Sequence, residues 1–379
     1  MDAIAVGGGL AGSAFALELA AAGAKVVLFE RTSGPHHKVC GDFLSGEARI
    51  LLRYLGVDPV GLGGKPIHTL SLVNGASEAC APLPFEAIGL SRYRLDEALL
   101  EAAAARGVYV MRGTTVEGMD ETADGLVVRT SNAAHQARVG ALASGKHNIR
   151  GIARPMGPMV GFKMLLTPTP AARAALDGRV RLVAFPGGYA GLCIVEDGSL
   201  SVAWNIRSKI LHSVGAGWQE QSDNIARASP LFGDLVRDAA PLWGKPLAVS
   251  GLPYGFLRTE AATPNIYAVG DQLAVIPSFS GDGTSLALAS GIAAARAVLA
   301  GESASAFQQR WIANYRDQFR VARAIDGVIA NRVMRRIGIA VARRAPGLVT
   351  ALTSATRLRG VSNLVGGEQS LRLEPVQQT

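Results

Sequence analysis

Three glycines and one carboxylate, Gly7, Gly9, Gly12 and Glu30, are the residues whose types and spacing point first to chemistry. Gly7 permits a tight turn, Gly9 lets a pyrophosphate approach the backbone, and Gly12 lets a helix pack closely on a strand. An apolar run, Ile4 to Val6, precedes them; an Ala/Leu-rich helix and a second apolar strand, Val26 to Phe29, follow. The free N–H groups at such a helix start favour phosphate. Glu30 stands 18 residues past Gly12, where a carboxylate binds the ribose hydroxyl of an adenosine. Arg31 follows it, and Lys38 and Gly41 in the next loop are counted with the cofactor-binding residues. These residues specify a dinucleotide, FAD or NAD(P), and leave the choice open.

The loop Lys38-Val39-Cys40-Gly41-Asp42 holds the candidate catalytic residue, Cys40. With Lys38, His36 and His37 beside it, the thiol is a proton donor, a redox partner or a small packing residue. Asp42 reads equally as a loop-capping carboxylate. No metal site is read: the paired histidines lack a second pair of ligands at suitable spacing. Cys40, Cys80 and Cys193 are too scattered for a disulfide framework or a zinc pattern.

Composition bounds the setting. At 379 residues, 49% hydrophobic and with a mean hydropathy of +0.23, the chain reads as a well-buried globular protein of two or three domains. The apolar stretch Ser285 to Ala300 carries Arg296 and suits a packed helix better than a membrane span. A nucleotide-binding strand directly after Met1 leaves no room for a signal peptide, so a cytoplasmic setting is expected, with peripheral membrane attachment as an option. The net charge of +8 is concentrated: Arg316 to Gly360 contains ten arginines and two acids. That segment is either a solvated helix face or a docking surface for an anionic membrane, an acyl carrier protein or a CoA-type substrate. Nucleic acid is excluded as a partner, because aromatic interleaving and DNA-binding motifs are absent.

Periodicity supplies the elements that position these residues. Ser45 is a plausible N-cap for a helix. Residues Ile67 to Leu83 read as short strands with turns, and Arg92 opens an Ala/Leu helix to Arg106. Val108 to Val110 reads as a parallel strand, and Gly125 to Thr130 as half of a hairpin. Val160 to Trp204 is strand-rich, with Asp197-Gly198 as a hairpin turn, and is expected to form an antiparallel layer against the substrate. Asn265 to Val269 is a buried strand before a glycine loop and a helix. The expected fold class is α/β: a Rossmann-like FAD-binding domain of the glutathione reductase type, an inserted antiparallel substrate-binding sheet, and C-terminal helices. The corresponding segments are 1–66, 86–155 and 256–300 for the first, 67–85 and 156–255 for the second, and 301–379 for the helices, with a polar tail near Glu368.

Three later motifs decide which dinucleotide. Gly270-Asp271 followed by Pro277-Ser278-Phe279-Ser280-Gly281-Asp282-Gly283 resembles the GD and glycine-loop block of class A flavoprotein monooxygenases, which are p-hydroxybenzoate hydroxylase-like, and of the geranylgeranyl reductase family. Arg92-Tyr93-Arg94-Leu95-Asp96 is similar to their R-x-x-L-D helix start, and Ala143 to Arg150 occupies the place of their A-D-G motif, with Ser144 and Asn148 as departures. The resemblance covers residues 2 to about 300. It implies FAD held by the first glycine turn, Arg92, Asp271 and the Gly281–Gly283 loop, with NAD(P)H as a transient reductant. The Cys40 loop resembles the reductase branch. That branch's Tyr-x-Trp-x-Phe-Pro motif is not intact, and the W-x-W-x-I-P of tryptophan-type flavin halogenases is absent. The leading expectation is a monooxygenase that hydroxylates a small apolar or aromatic, polyketide-like secondary metabolite. Reduction of C=C bonds in a prenyl or other lipid is the alternative, and a non-catalytic flavin-binding protein the third.

Overall fold

The protein is described by a computed structural model that covers residues 1–259 and 264–366; the tail expected near Glu368 lies outside the described residues. Five parallel strands form one sheet in the order Ile266–Ala268, Val139–Leu142, Ala3–Val6, Val26–Phe29, Tyr109–Met111. Both faces are covered, which explains why the strands read as continuous apolar runs. Ala3 and Ala5 face helices Leu10–Ala21, Arg92–Ala105 and Gly283–Leu299. Ile4 and Val6 face a small antiparallel sheet, Val116–Thr122, Gly125–Thr130 and Ala134–Ala137, through Met119, Leu126 and Val128.

The second sheet has nine strands, and its central part runs Met159–Thr167, Leu200–Arg207, Gly188–Ile194, Arg179–Phe185, Lys65–Asn74, Ser77–Gly89. The Asp197-Gly198 turn forms as expected from its residues, with Gly198 at φ +83° and the Asp197 carboxylate accepting from Ser199 N–H at 2.9 Å. Two details differ from the reading of the sequence. The 67–83 region is one long hairpin, not a set of short strands, because Gly75 at φ +64° turns it once. The sheet is also not wholly antiparallel: Arg179–Phe185 runs parallel to Lys65–Asn74, since these strands come from distant parts of the chain. Helices Trp218–Ala228 and Pro230–Val236, not read from the sequence, bury Ile225 and Phe232 on the sheet face away from the nucleotide-binding sheet.

Helix Ala304–Ala330 lays Phe307, Trp311, Tyr315 and Phe319 against the first domain. Helices Arg332–Arg344 and Pro346–Ala355 then turn back over strand Ser77–Gly89, touching Ala79 and Ala81 through Ala342 and Val349. Among the described residues no helix is long and apolar enough to cross a membrane.

The glycine-turn helix is pinned by small residues on two sides. A Cβ at Gly12 would lie 1.9 Å from the Gly7 carbonyl oxygen, and one at Gly291 would lie 2.3 Å from that of Ala11. Overpacking of this kind costs about 1–3 kcal/mol. Gly291→Ala is therefore expected to lower the melting temperature, whereas Gly327→Ala, with open space around its Cβ, should match or exceed wild type. Equal melting of both variants would show that the helices do not cross this closely.

Candidate functional site

Gly7 adopts φ +111°, and a Cβ there would meet the Ala143 carbonyl oxygen at 2.4 Å. Helix Leu10–Ala21 starts with Gly9 as N-cap and no capping side chain, so its first N–H groups are available to an anion. Glu30 is buried; Oε2 accepts from Gly8 N–H at 2.9 Å, and Oε1 from Thr32 N–H at 3.0 Å and Thr32 Oγ1 at 2.9 Å. Burial alone would raise its pKa, but the Lys38 charge and these hydrogen bonds outweigh it and hold the carboxyl below its usual value.

Two cations converge on the turn. The position of a Gly9 Cβ would be 3.5 Å from both Arg92 Nη2 and Lys38 Nζ, so the missing side chain leaves space that both cations border. Asp96 holds them. Its carboxylate takes a forked contact from Arg92, at 2.5 Å to Nε and 2.9 Å to Nη2, and lies 2.7 Å from Lys38 Nζ. Burial works to raise Asp96, yet the two cations lower it to about 2. Two positive groups on one carboxylate leave a net positive charge beside an open helix N-terminus, which suits a pyrophosphate. Arg31 is exposed at the rim and meets His147 Nε2 at 2.9 Å.

The Cys40 loop is fixed from beneath by Asp42, a buried residue at φ +53°. Its Oδ1 accepts from Arg92 N–H at 3.2 Å and its Oδ2 from Ser201 Oγ at 2.8 Å. Lys163, fully buried on strand Met159–Thr167, places Nζ 2.5 Å from Oδ2, off the hydrogen-bond line, so the attraction is Coulombic. Cys193 Sγ donates to the Gly41 carbonyl at 3.4 Å, and burial pushes its thiol well up, so it is held as a neutral thiol. Cys40 is half-buried and borders the cavity. His37 stacks on Tyr93 with ring centres 4.8 Å apart, and burial followed by the Lys163 charge lowers it to about 4.

Gly270 turns at φ +57° and donates its N–H to Ser290 Oγ at 2.9 Å; the Asp271 carbonyl accepts from Arg154 Nη1 at 3.0 Å. Gly281 sits at φ +72° against the Phe43 ring, and Gly283 has open space where a Cβ would point. Between them Asp282 is fully buried. Burial lifts it to about 7 against the pull of Arg357, whose Nη1 is 2.9 Å away. Ser278 Oγ is the centre of a polar cluster: it meets Tyr189 Oη at 2.8 Å, Tyr254 Oη at 2.7 Å and Asn205 Nδ2 at 2.8 Å.

One cavity of about 1010 Å³ joins these parts. Gly7, Gly9, Glu30, Arg31, Lys38, Cys40, Gly41, Arg92, Gly270, Asp271, Gly281 and Gly283 all line it. Gly12 and Pro277 do not: the first is buried in helix packing and the second behind its loop. The sequence reading missed Asp96 as the holder of the cations, Lys163, and the Tyr189–Tyr254–Asn205–Ser278 cluster. Only Asp96 carried a local signal, four residues after Arg92 on one helix face. Among the described residues no group of His, Cys, Asp and Glu is placed to hold a metal ion.

An uncapped helix N-terminus, paired cations, a buried carboxylate and a second glycine loop thus open on one cavity, an arrangement with the donors and space a flavin dinucleotide needs. The FAD binding domain family model matches residues 1–141. Over 97% of this chain and 93% of its own length, a menaquinone reductase from Mycolicibacterium smegmatis is 26% identical. A flavoprotein/dehydrogenase from Cytophaga hutchinsonii shares the fold at a TM-score of 0.76 and 16% identity, covering 97% of this chain and 95% of that one. The flavin-dependent halogenase CmlS does so at 0.71 and 18%, covering 86% of this chain, which spans 64% of the halogenase. The chain is an FAD-binding flavoprotein. It is an FAD-dependent oxidoreductase, and its fold is shared with that flavoprotein and that halogenase.

Charged hydrogen bonds of the Arg92 kind contribute about 1.5–3 kcal/mol each. Arg92→Ala should thus weaken FAD binding by roughly 10- to 100-fold in a flavin fluorescence titration of apoprotein; unchanged affinity would remove Arg92 from the seat. His37 is held neutral with its pKa below the unfolded value, so unfolding takes up a proton below about pH 6.5. Its contribution is present above that pH and lost as pH falls towards 4. The melting temperature of His37→Gln relative to wild type should accordingly improve as pH drops from neutral to 4.5, and a pH-independent difference would contradict the buried neutral ring.

Proposed function

We propose that this flavoenzyme reduces a carbon–carbon double bond in the isoprenoid chain of a prenyl lipid of the quinone type, with NAD(P)H as transient reductant. The observation that carries this reading is the size and largely apolar lining of the cavity. Leu70, Leu72, Leu182 and Ile329 are among its apolar walls, and Tyr189, Tyr254 and Asn205 gather around Ser278 beside the glycine loop. A long apolar chain with a single reacting bond suits such a space. The likeness to a menaquinone reductase along nearly the whole chain supports the same substrate class.

Bound FAD, once reduced, supplies the hydride to one carbon of the double bond. The chain's own residues do the rest. Arg92, Lys38 and the uncapped helix would hold the cofactor's pyrophosphate, and Gly283, with open space where a Cβ would point, would leave room for it at the second loop. Tyr189 and Tyr254 supply the proton to the other carbon. Burial raises both phenols, Tyr189 to about 12, so each stays protonated until a strongly basic centre forms beside it. Ser278 and Asn205 orient the two hydroxyls. Cys40 stands at the cavity wall as the other candidate donor. Hydroxylation of an apolar aromatic substrate would use the same seat, and the outcome with and without oxygen separates the two.

Anaerobically reduced enzyme mixed with menaquinone should reoxidise, and after the ring is returned to the quinone in air, mass spectrometry should find two added hydrogens retained in the isoprenoid chain. Reoxidation by oxygen alone, with an oxygen atom entering the product, would replace the reductase reading by the monooxygenase. Tyr254→Phe is expected to slow lipid-dependent reoxidation by about 10²-fold or more while FAD binding stays intact. An unchanged rate in Cys40→Ala would remove the thiol from proton delivery.

A further inference from the structure

The far end of the cavity is closed by the last two long helices, Arg332–Arg344 and Pro346–Ala355, and its rim is unusual for a water-facing surface. Met334, Ile337, Val341, Leu348 and Leu352 are 46%, 52%, 42%, 48% and 44% exposed. All five also line the cavity. Side chains that face both solvent and the interior of a cavity form its mouth. Val333, 64% exposed, continues the stripe, so 333, 337 and 341 recur at one helical face opposite Ala342, which packs inward.

The charge around this mouth has one sign. Arg332, Arg336, Arg343 and Arg344 are exposed on the same helix, and the sequence from 327 to 366 contains no acidic residue. Not every arginine of the basic segment is free to do this. Arg335 donates to Asn74 Oδ1 at 2.9 Å and to the Ile329 carbonyl at 2.8 Å, and Arg357 is buried against Asp282. Arg320 is 3.1 Å from Asp317. The surface is therefore narrower than the 316–360 segment.

We infer that the helix pair 332–355 docks the mouth of the cavity onto an anionic phospholipid bilayer. The apolar rim enters the headgroup–acyl boundary while the four arginines meet lipid phosphates. A bilayer satisfies both features at once: the arginines sit at headgroup depth, and the uncovered apolar arc below them leaves water. A prenyl lipid can then pass from the acyl region into the cavity without crossing water. This step deepens the prenyl-lipid reading and rests on it for the choice of cargo, whereas the docking itself is measured without substrate.

Flotation of the FAD-loaded protein with vesicles tests it, using phosphatidylcholine alone and phosphatidylcholine mixed with phosphatidylglycerol. Binding is expected to the anionic vesicles and to fall steeply with added salt. At about fivefold per charge, the triple variant R336Q/R343Q/R344Q should bind roughly 100-fold more weakly. Ile337→Asp with Leu348→Asp should also release the protein. All these side chains are exposed, so FAD content and melting temperature should stay at wild-type values, which separates lost docking from lost folding. Absence of binding to anionic vesicles at low salt overturns the inference, as does capture by an acidic carrier protein without vesicle binding, or a triple variant that binds like wild type. Reduction of detergent-dispersed lipid without vesicle binding would sink the docking and leave the reductase reading standing. Vesicle binding without lipid reduction would do the reverse.

Discussion

The buried contact between Asp42 and Lys163 joins the two halves of this molecule. The carboxylate belongs to the Cys40 loop, and the ammonium to strand Met159–Thr167 of the large sheet. Taking both charges out of water is expensive, and removing either partner would strand the other, so the pair fixes the loop to the sheet. The same carboxylate accepts from Arg92 N–H at the start of helix Arg92–Ala105. Glu196, in the hairpin turn of the large sheet, accepts from Ser91 N–H and Ser91 Oγ one residue earlier. The helix that carries Arg92 thus takes its position from the sheet that walls the cavity. The glycine-turn side and the sheet side of the cavity are built on shared contacts.

A second tie acts at the opposite end of the seat. Arg357, from the C-terminal region, reaches Asp282 between the two glycines of the flavin-facing loop, donates to the Ser280 carbonyl and lies over the Phe85 ring. A basic residue that looked like part of a solvated surface therefore supports the loop from beneath. The same stretch of chain supplies the apolar mouth of the cavity. Charged side chains border that cavity at the glycine turn, and Met334, Ile337, Val341, Leu348 and Leu352 border it at the C-terminal helices.

Much of the fold was legible because its signals are local. The turn at Gly7, Gly9 and Gly12 needs only the spacing of residues without a Cβ, and Glu30 follows from the length of one helix and one strand. Ser45 and the Asp197-Gly198 turn formed where their chemistry asks for them. The parallel pairing of Arg179–Phe185 with Lys65–Asn74 was not legible, since strand periodicity says nothing about partners. Helices Trp218–Ala228 and Pro230–Val236 escaped notice between stronger signals.

Cys40, the residue singled out for chemistry, does border the cavity, while of the cluster around Ser278 only Ser278 itself stood in a sequence motif. Tyr189, Asn205, Tyr254 and Ser278 lie up to 89 residues apart and converge on one oxygen. By itself the sequence determined the nucleotide turn, the acid that follows it and the positions of the glycine loops, because each depends on backbone freedom within a few residues. The tertiary structure alone decided that Asp96 gathers two cations, that Lys163 anchors the Cys40 loop, and which arginines face water. Those outcomes depend on which distant strands pair and which faces they bury, and no short stretch of sequence encodes that.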